Sequence, residues 1–160
     1  MTAGLETKIE AGKAAAPTED VIEMCSVLVG ETIFGIPIMS ILEILGTPAT
    51  QTVPLAPPYI GGLVHYRGEV LTVVSLRSLL GIPGHSRPPD LLVFEGTGEY
   101  FGLQVDAVGE VMTVSPRDFE VNPSTLDDRR KSLFAGTYKL NDALLVMLDP
   151  ARLDPMQLAQ

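Results

Sequence analysis

The chain has 160 residues, 46% hydrophobic and 19% charged, with 11 Lys+Arg against 20 Asp+Glu for a net charge of -9. That composition belongs to a compact folded chain of one domain or two very small ones, and its acidity disfavours contact with phosphate backbones. The single cysteine, Cys25, excludes an internal disulfide and a cysteine-based zinc site, and no apolar run approaches the ~20 residues that cross a bilayer.

Residues 1–20 read as a flexible tail, rich in Ala, Gly, Glu and Lys. They lack a cationic start followed by a hydrophobic block, so no secretory signal is expected and the chain is placed in the cytoplasm without insertion into the membrane. "CSVLVGETIFGIPI" (25–38) predicts a strand, a Gly-Glu turn and a second strand, with Cys25 as a small core residue. "IGGLVHYRGEVLTVVSLRSL" (60–79) predicts a hairpin with Arg67-Gly68 at its tip, then a helical turn capped by Ser75. "GIPGHSRPPD" (81–90) is the most turn-rich stretch and the expected boundary between two halves, approximately 21–85 and 86–158, with strands free to cross it. "LLVFEGTGEYFGLQV" (91–105) repeats the strand, turn, strand pattern. Asp127-Asp128 followed by Arg129-Arg130-Lys131 reads as a solvated helix or loop, and Asp149-Pro150 as a helix start.

Two pairs of windows align without gaps. "IFGIPIMSILEIL" (33–45) lies over "YFGLQVDAVGEVM" (100–112), matching Phe34 with Phe101, Gly35 with Gly102 and Glu43 with Glu110. "IGGLVHYRGEVLTVVSLRSL" (60–79) lies over "FAGTYKLNDALLVMLDPARL" (134–153), matching Gly62 with Gly136, Leu71 with Leu145 and Leu79 with Leu153. Two windows in the same order indicate an internal duplication. Each copy is too short for a sandwich and suits a small barrel filled by alternating aliphatics. The expected fold is therefore all-β with short helices, as two small barrels on one chain.

No catalytic constellation emerges. His65 and His85 are the only histidines and have no metal-ligand spacing; His65 reads as a partly exposed strand residue and His85 as a loop residue. "EGTGEY" lacks the lysine and helix start of a phosphate-cradling loop, and adjacent Asp127 and Asp128 form no acid-base pair. Catalytic, cofactor and metal sites are all expected to be absent. Function is then sought where the copies diverge on exposed positions. The hairpin tips are "HYRGE" and "KLNDA". Asn141-Asp142 is ordinary turn chemistry, whereas Arg67 adds a guanidinium that the turn does not need. A bidentate Glu43–Arg67 pair is expected to fix the tip, contributing geometry more than stability.

These residues resemble the CheW-like domain family, the adaptors of bacterial chemotaxis arrays. "VPLAPPYIGGLVHYRGEVLTVVSLRSLLG" resembles its most diagnostic block, "FGIPIMSILEIL" its strand-plus-Glu segment, "YFGLQVDAVGEV" its second-half segment and "LLVMLDPARL" its closing strand and helix; the likeness covers roughly residues 21–155. It implies two SH3-like barrels of about five strands and a non-enzymatic scaffold over residues 21–158. It also implies two partners, the cytoplasmic tip of a methyl-accepting chemoreceptor and the regulatory domain of a chemotaxis-type histidine kinase. On this resemblance Gly62, Val64, Arg67 and Gly68 lie at the kinase contact, and Ile41, Glu43 and Ile44 border the receptor groove. Thr72 and Ser75 stand where the family usually has Pro and Asp, and His65-Tyr66 precede the arginine in place of its usual pair. A small barrel of OB or SH3 type, binding a small ligand or an oligonucleotide, is the alternative; it calls for clustered basic residues and exposed aromatics in a chain without Trp.

Overall fold

A computed structural model describes residues 20–84 and 88–159. The predicted tail before Asp20, His85 and part of the predicted boundary loop lie outside the described residues. Among the described residues, eleven strands run in the order β1 (Ile22–Val29), β2 (Thr32–Pro37), β3 (Glu43–Gly46), β4 (Ile60–Tyr66), β5 (Glu69–Ser75), β6 (Asp90–Glu95), β7 (Tyr100–Val105), β8 (Ala107–Val114), β9 (Phe119–Glu120), β10 (Phe134–Lys139) and β11 (Leu144–Leu148). Short helices follow β5 (α1, Leu76–Leu79), precede β10 (α2, Asp128–Leu133) and close the chain (α3, Pro155–Leu158). Ser75 Oγ accepts from Ser78 N–H at 3.2 Å to start α1. Asp149 Oδ1 accepts from Ala151 N–H at 3.0 Å at the equivalent place after β11. Asp127 caps α2 in the same way, at 2.8 Å from Arg130 N, so the mixed-charge run is a short helix anchored by buried Leu133.

The strands form a six-stranded sheet, β8-β1-β2-β11-β10-β9, and a five-stranded sheet, β3-β6-β7-β5-β4. These SH3-like subdomains do not divide the chain near residue 85. The β1–β2 hairpin sits among strands from the second half, and β6–β7 among strands from the first half. Strands cross the expected boundary, as the sequence reading allowed, in an exchange in which each copy's leading hairpin completes the other copy's sheet. Parallel pairs make the joins. Phe34 and Gly35 lie beside Val146 and Met147, while Phe101 and Gly102 lie beside Thr72 and Val73. The sequence alignment places those neighbours over one another, so the duplication holds residue by residue. Each glycine also makes room for a leucine: a Cβ on Gly35 would meet Leu145 Cδ2 at 2.8 Å, and one on Gly102 would meet Leu91 Cδ1 at 2.8 Å and the equivalent Leu71 Cδ1 at 3.2 Å.

Three apolar clusters follow from this exchange. Val64, Tyr66, Leu71, Val73, Leu91 and Val93 fill the five-stranded subdomain. Met24, Val114, Tyr138 and Leu145 fill the six-stranded one. The largest cluster includes Cys25, Val27, Phe34, Leu92, Phe94, Leu103 and Leu148, drawn from both sheets. Runs such as "LLVF" are continuous because alternate residues serve different cores: Leu91 and Val93 point into their own subdomain, Leu92 and Phe94 towards the other. Cys25 is 2% exposed, and burial pushes its thiol pKa up, which suits a core residue rather than a nucleophile. A polar strut crosses between the subdomains. Arg77 donates to both Asp106 oxygens, Nε–Oδ1 3.1 Å and Nη2–Oδ2 3.0 Å, and Gly30 N–H donates to the same carboxylate at 2.9 Å. It fixes α1, the β1–β2 turn and the β7–β8 corner to one another.

Candidate functional site

The edge strands of the five-stranded sheet, β3 and β4, are not hydrogen-bonded to each other, so backbone pairing does not close this subdomain. Side chains cross the seam instead. Tyr66, the last residue of β4, donates its hydroxyl to Glu43 Oε1 at 2.8 Å, and Arg67 Nη2 donates to the same oxygen at 3.0 Å. The expected bidentate pair is thus a single contact, made to the same carboxylate oxygen that accepts from the tyrosine hydroxyl. Arg67 Cζ lies 5.3 Å from the Tyr66 ring centroid, and that ring packs edge-on against Tyr100 at 5.7 Å. The guanidinium is thereby stacked as well as hydrogen-bonded.

The backbone gives the same residue a cost. Tyr66 pairs with Glu69 across a two-residue loop in which Arg67 has φ 50° and Gly68 φ 80°. Positive φ at both central positions is the type I′ geometry whose twist matches the strands. Glycine or asparagine enters that region freely, whereas an arginine there costs about 1 kcal/mol. A turn that cheaper residues would make equally well therefore carries a strained arginine, and its side chain is 71% exposed. The corresponding tip around Asn141-Asp142 carries no such group.

The other anticipated residues separate into surface and support. Ile44 is 47% exposed on β3, with Leu42 beside it at 49%, while Ile41 is half-buried against the shared core. Val64, read as a contact residue, is 3% exposed inside the subdomain; alternation along β4 turns Leu63 and His65 outwards instead. Gly62 is buried too, at a bulge where the β4–β5 register slips, with φ 136°. A Cβ there would come within 2.5 Å of Gln51 O, so the backbone requires glycine before any partner does. Tyr66 and Tyr100 were missed as site residues; the alternation that sends Tyr66 inwards, opposite to His65, was the available signal. Among the described residues no group of three or more His, Cys, Asp or Glu side chains is placed to hold a metal ion.

Hydrogen bonds from Tyr66 first, and then from Arg67, hold the Glu43 carboxyl below the usual carboxylate range, and the bond to Glu43 raises the Tyr66 phenol pKa. A lowered carboxyl pKa means that the seam link is intact above the ordinary range and is lost as pH falls through the lowered value. Carbon-detected NMR should therefore show Glu43 titrating below a free glutamate, with the midpoint moving up in Tyr66→Phe. An unchanged midpoint in that variant would remove the tyrosine as the holder of the carboxylate.

The family model described as CheW-like domain matches residues 23–155. The chain is 32% identical over 130 residues to the chemotaxis protein CheW of Rhizobium meliloti (strain 1021), covering 79% of this chain and 83% of that protein. It is 29% identical over 145 residues to the chemotaxis protein CheW of Helicobacter pylori (strain ATCC 700392 / 26695), covering 89% and 87%. Among solved structures it is similar to the scaffolding protein TtCheW from Thermoanaerobacter tengcongensis, with a TM-score of 0.74 and 25% identity over 84% of this chain and 92% of that one.

Proposed function

The chain belongs to the CheW-like domain family, and on that premise we propose that this chemotaxis scaffold is a non-enzymatic cytoplasmic adaptor coupling chemoreceptor tips to a chemotaxis-type histidine kinase. One surface, the β4–β5 tip with Arg67 and Gly68, engages the regulatory domain of the kinase. The other, the β3 segment with Ile41, Glu43 and Ile44, borders a groove that takes the helical hairpin of a methyl-accepting receptor through aliphatic anchors. Gly62 and Val64 serve the first surface from beneath, by setting the bulge and the packing of β4.

The observation that carries this reading is the strained, stacked and exposed Arg67, bonded to a glutamate of the neighbouring segment. Glu43 belongs to one surface and Arg67 to the other, and a single carboxylate oxygen joins them, so docking at either bears on the same hydrogen-bond network. The test is reconstitution with the kinase regulatory domain and a receptor cytoplasmic fragment from the same organism. A ternary complex that requires this chain is expected on size exclusion. Receptor and kinase fragments that bind each other equally well without it, or a chain that retains neither, would overturn the assignment.

A further inference from the structure

The duplication places two hairpin turns in equivalent positions. Val27 pairs with Phe34 and Phe94 with Phe101, so Gly30 and Thr97, each three residues further on, open matching turns. Both N–H groups donate to a carboxylate: Gly30 to Asp106 Oδ2 at 2.9 Å, and Thr97 to Asp154 Oδ2 at 2.7 Å. The two carboxylates are not equivalents of one another. Asp106 aligns with Met39, which is 93% exposed, and Asp154 falls just beyond the aligned windows.

Each bond joins the two subdomains. The β1–β2 turn of the six-stranded sheet is tied to Asp106, which Arg77 of α1 holds from the five-stranded side. The β6–β7 turn of the five-stranded sheet is tied to Asp154, in the segment that follows β11 of the six-stranded sheet. Arg152 Nη1 in that segment donates to Phe134 O at 3.0 Å and so keeps it on β10.

The two ties differ in strength. Asp106 accepts from Gly30 N–H and from two nitrogens of a guanidinium, and α1 is seated by buried Leu76 and Leu79. Asp154 is 5% exposed, and its second oxygen accepts from Met156 N–H at 2.9 Å. Among the described residues no cation pairs with it, and α3, which it starts, has no buried residue. A buried carboxylate met by neutral donors is less well compensated than one met by a bidentate arginine. A single helical turn without a buried residue opens locally at low cost.

We propose that the two ties form a clamp on the angle between the subdomains, with Arg77–Asp106 as its fixed point and Asp154–Thr97 as a latch released when α3 opens. The functional consequence rests on the adaptor reading. The receptor groove begins at Ile41, which packs on the core shared by both sheets, whereas the Arg67 tip lies within the five-stranded sheet alone. Releasing the latch therefore alters the receptor groove and leaves the kinase tip as it is. Asp154 and Thr97 are positioning residues for the receptor.

Two variants open the latch from opposite sides. Thr97→Pro deletes the donor and keeps the turn, since proline suits the first central position when the second is Gly98 at φ 83°. Asp154→Ser keeps a cap for α3 but has one oxygen where two serve separate donors. Residual dipolar couplings report the relative alignment of the two sheets, with hydrogen exchange and calorimetric affinities for receptor and kinase fragments alongside. In wild type the Thr97 amide is expected to exchange at least about tenfold faster than Gly30, each relative to its intrinsic rate. Both variants are expected to shift the alignment and to weaken receptor binding at least about fivefold, with kinase affinity unchanged. Equal exchange of the two amides overturns the latch, and one common alignment in all three chains overturns the clamp. A shifted alignment with receptor affinity unchanged, or with both affinities lowered alike, overturns the positioning role. Absence of both partners' binding by wild type overturns the adaptor reading, while the couplings still decide the clamp.

Discussion

Replacing Arg67 by glutamate is expected to weaken binding of the kinase regulatory domain by at least about 30-fold while the fold survives. That size follows from removing a directional charge at the proposed contact and reversing its sign. Stability is expected to hold because the Glu43–Arg67 contact is exposed, and exposed pairs contribute little. Arg67→Asn sharpens the argument. Asparagine suits the left-handed backbone at φ 50° better than arginine does, so this variant is expected to melt no lower than wild type and still to lose binding. Stability and affinity then move independently, which separates a docking residue from a turn former. Wild-type affinity in Arg67→Asn would show that the guanidinium has no role in the contact.

Local chemistry carried much of the fold into view. Alternating aliphatics, the Gly-Glu and Arg-Gly turns, and the caps at Ser75 and Asp149 are properties of adjacent residues, and each strand they delimit is present. The repeat was legible because Gly35 and Gly102 make room for the equivalent Leu145 and Leu71. The exchange of hairpins was not legible, since a strand's own pattern does not name its neighbour. Phe34 would read the same beside Val146 as beside any other aliphatic strand. The Arg77–Asp106 strut was hidden for the same reason, its partners being distant in sequence with no spacing that marks them. At the site, charge divergence between the tips pointed to Arg67, but charge alone could not reveal that Tyr66 shares the Glu43 oxygen. Val64 belongs to the block that the family resemblance places at the kinase contact, and strand alternation sets it opposite to His65, facing the core.

Gly62→Val and Gly136→Val are expected to destabilise the chain by similar amounts, although only the first lies on the proposed kinase hairpin. Both glycines sit at bulges, between β4 and β5 and between β10 and β11, with φ 136° and 146°. A Cβ at Gly62 would meet Gln51 O at 2.5 Å, and one at Gly136 would meet the Phe119 ring at 2.3 Å. Backbone strain and overpacking each cost roughly 1–3 kcal/mol, so a loss of about 4 kcal/mol, or ~10 °C in thermal midpoint for a chain of this size, is expected for each. Calorimetric melting of the two variants checks the magnitude. Their comparison decides what Gly62 is for. If it serves only the bulge, loss of kinase binding in Gly62→Val tracks the unfolded fraction and disappears on cooling below the transition. A Gly62→Val chain that melts like wild type yet fails to bind would instead make the glycine a point of close approach for the partner. Gly136→Val, equally strained but on the other subdomain, should then bind normally at every temperature where it is folded.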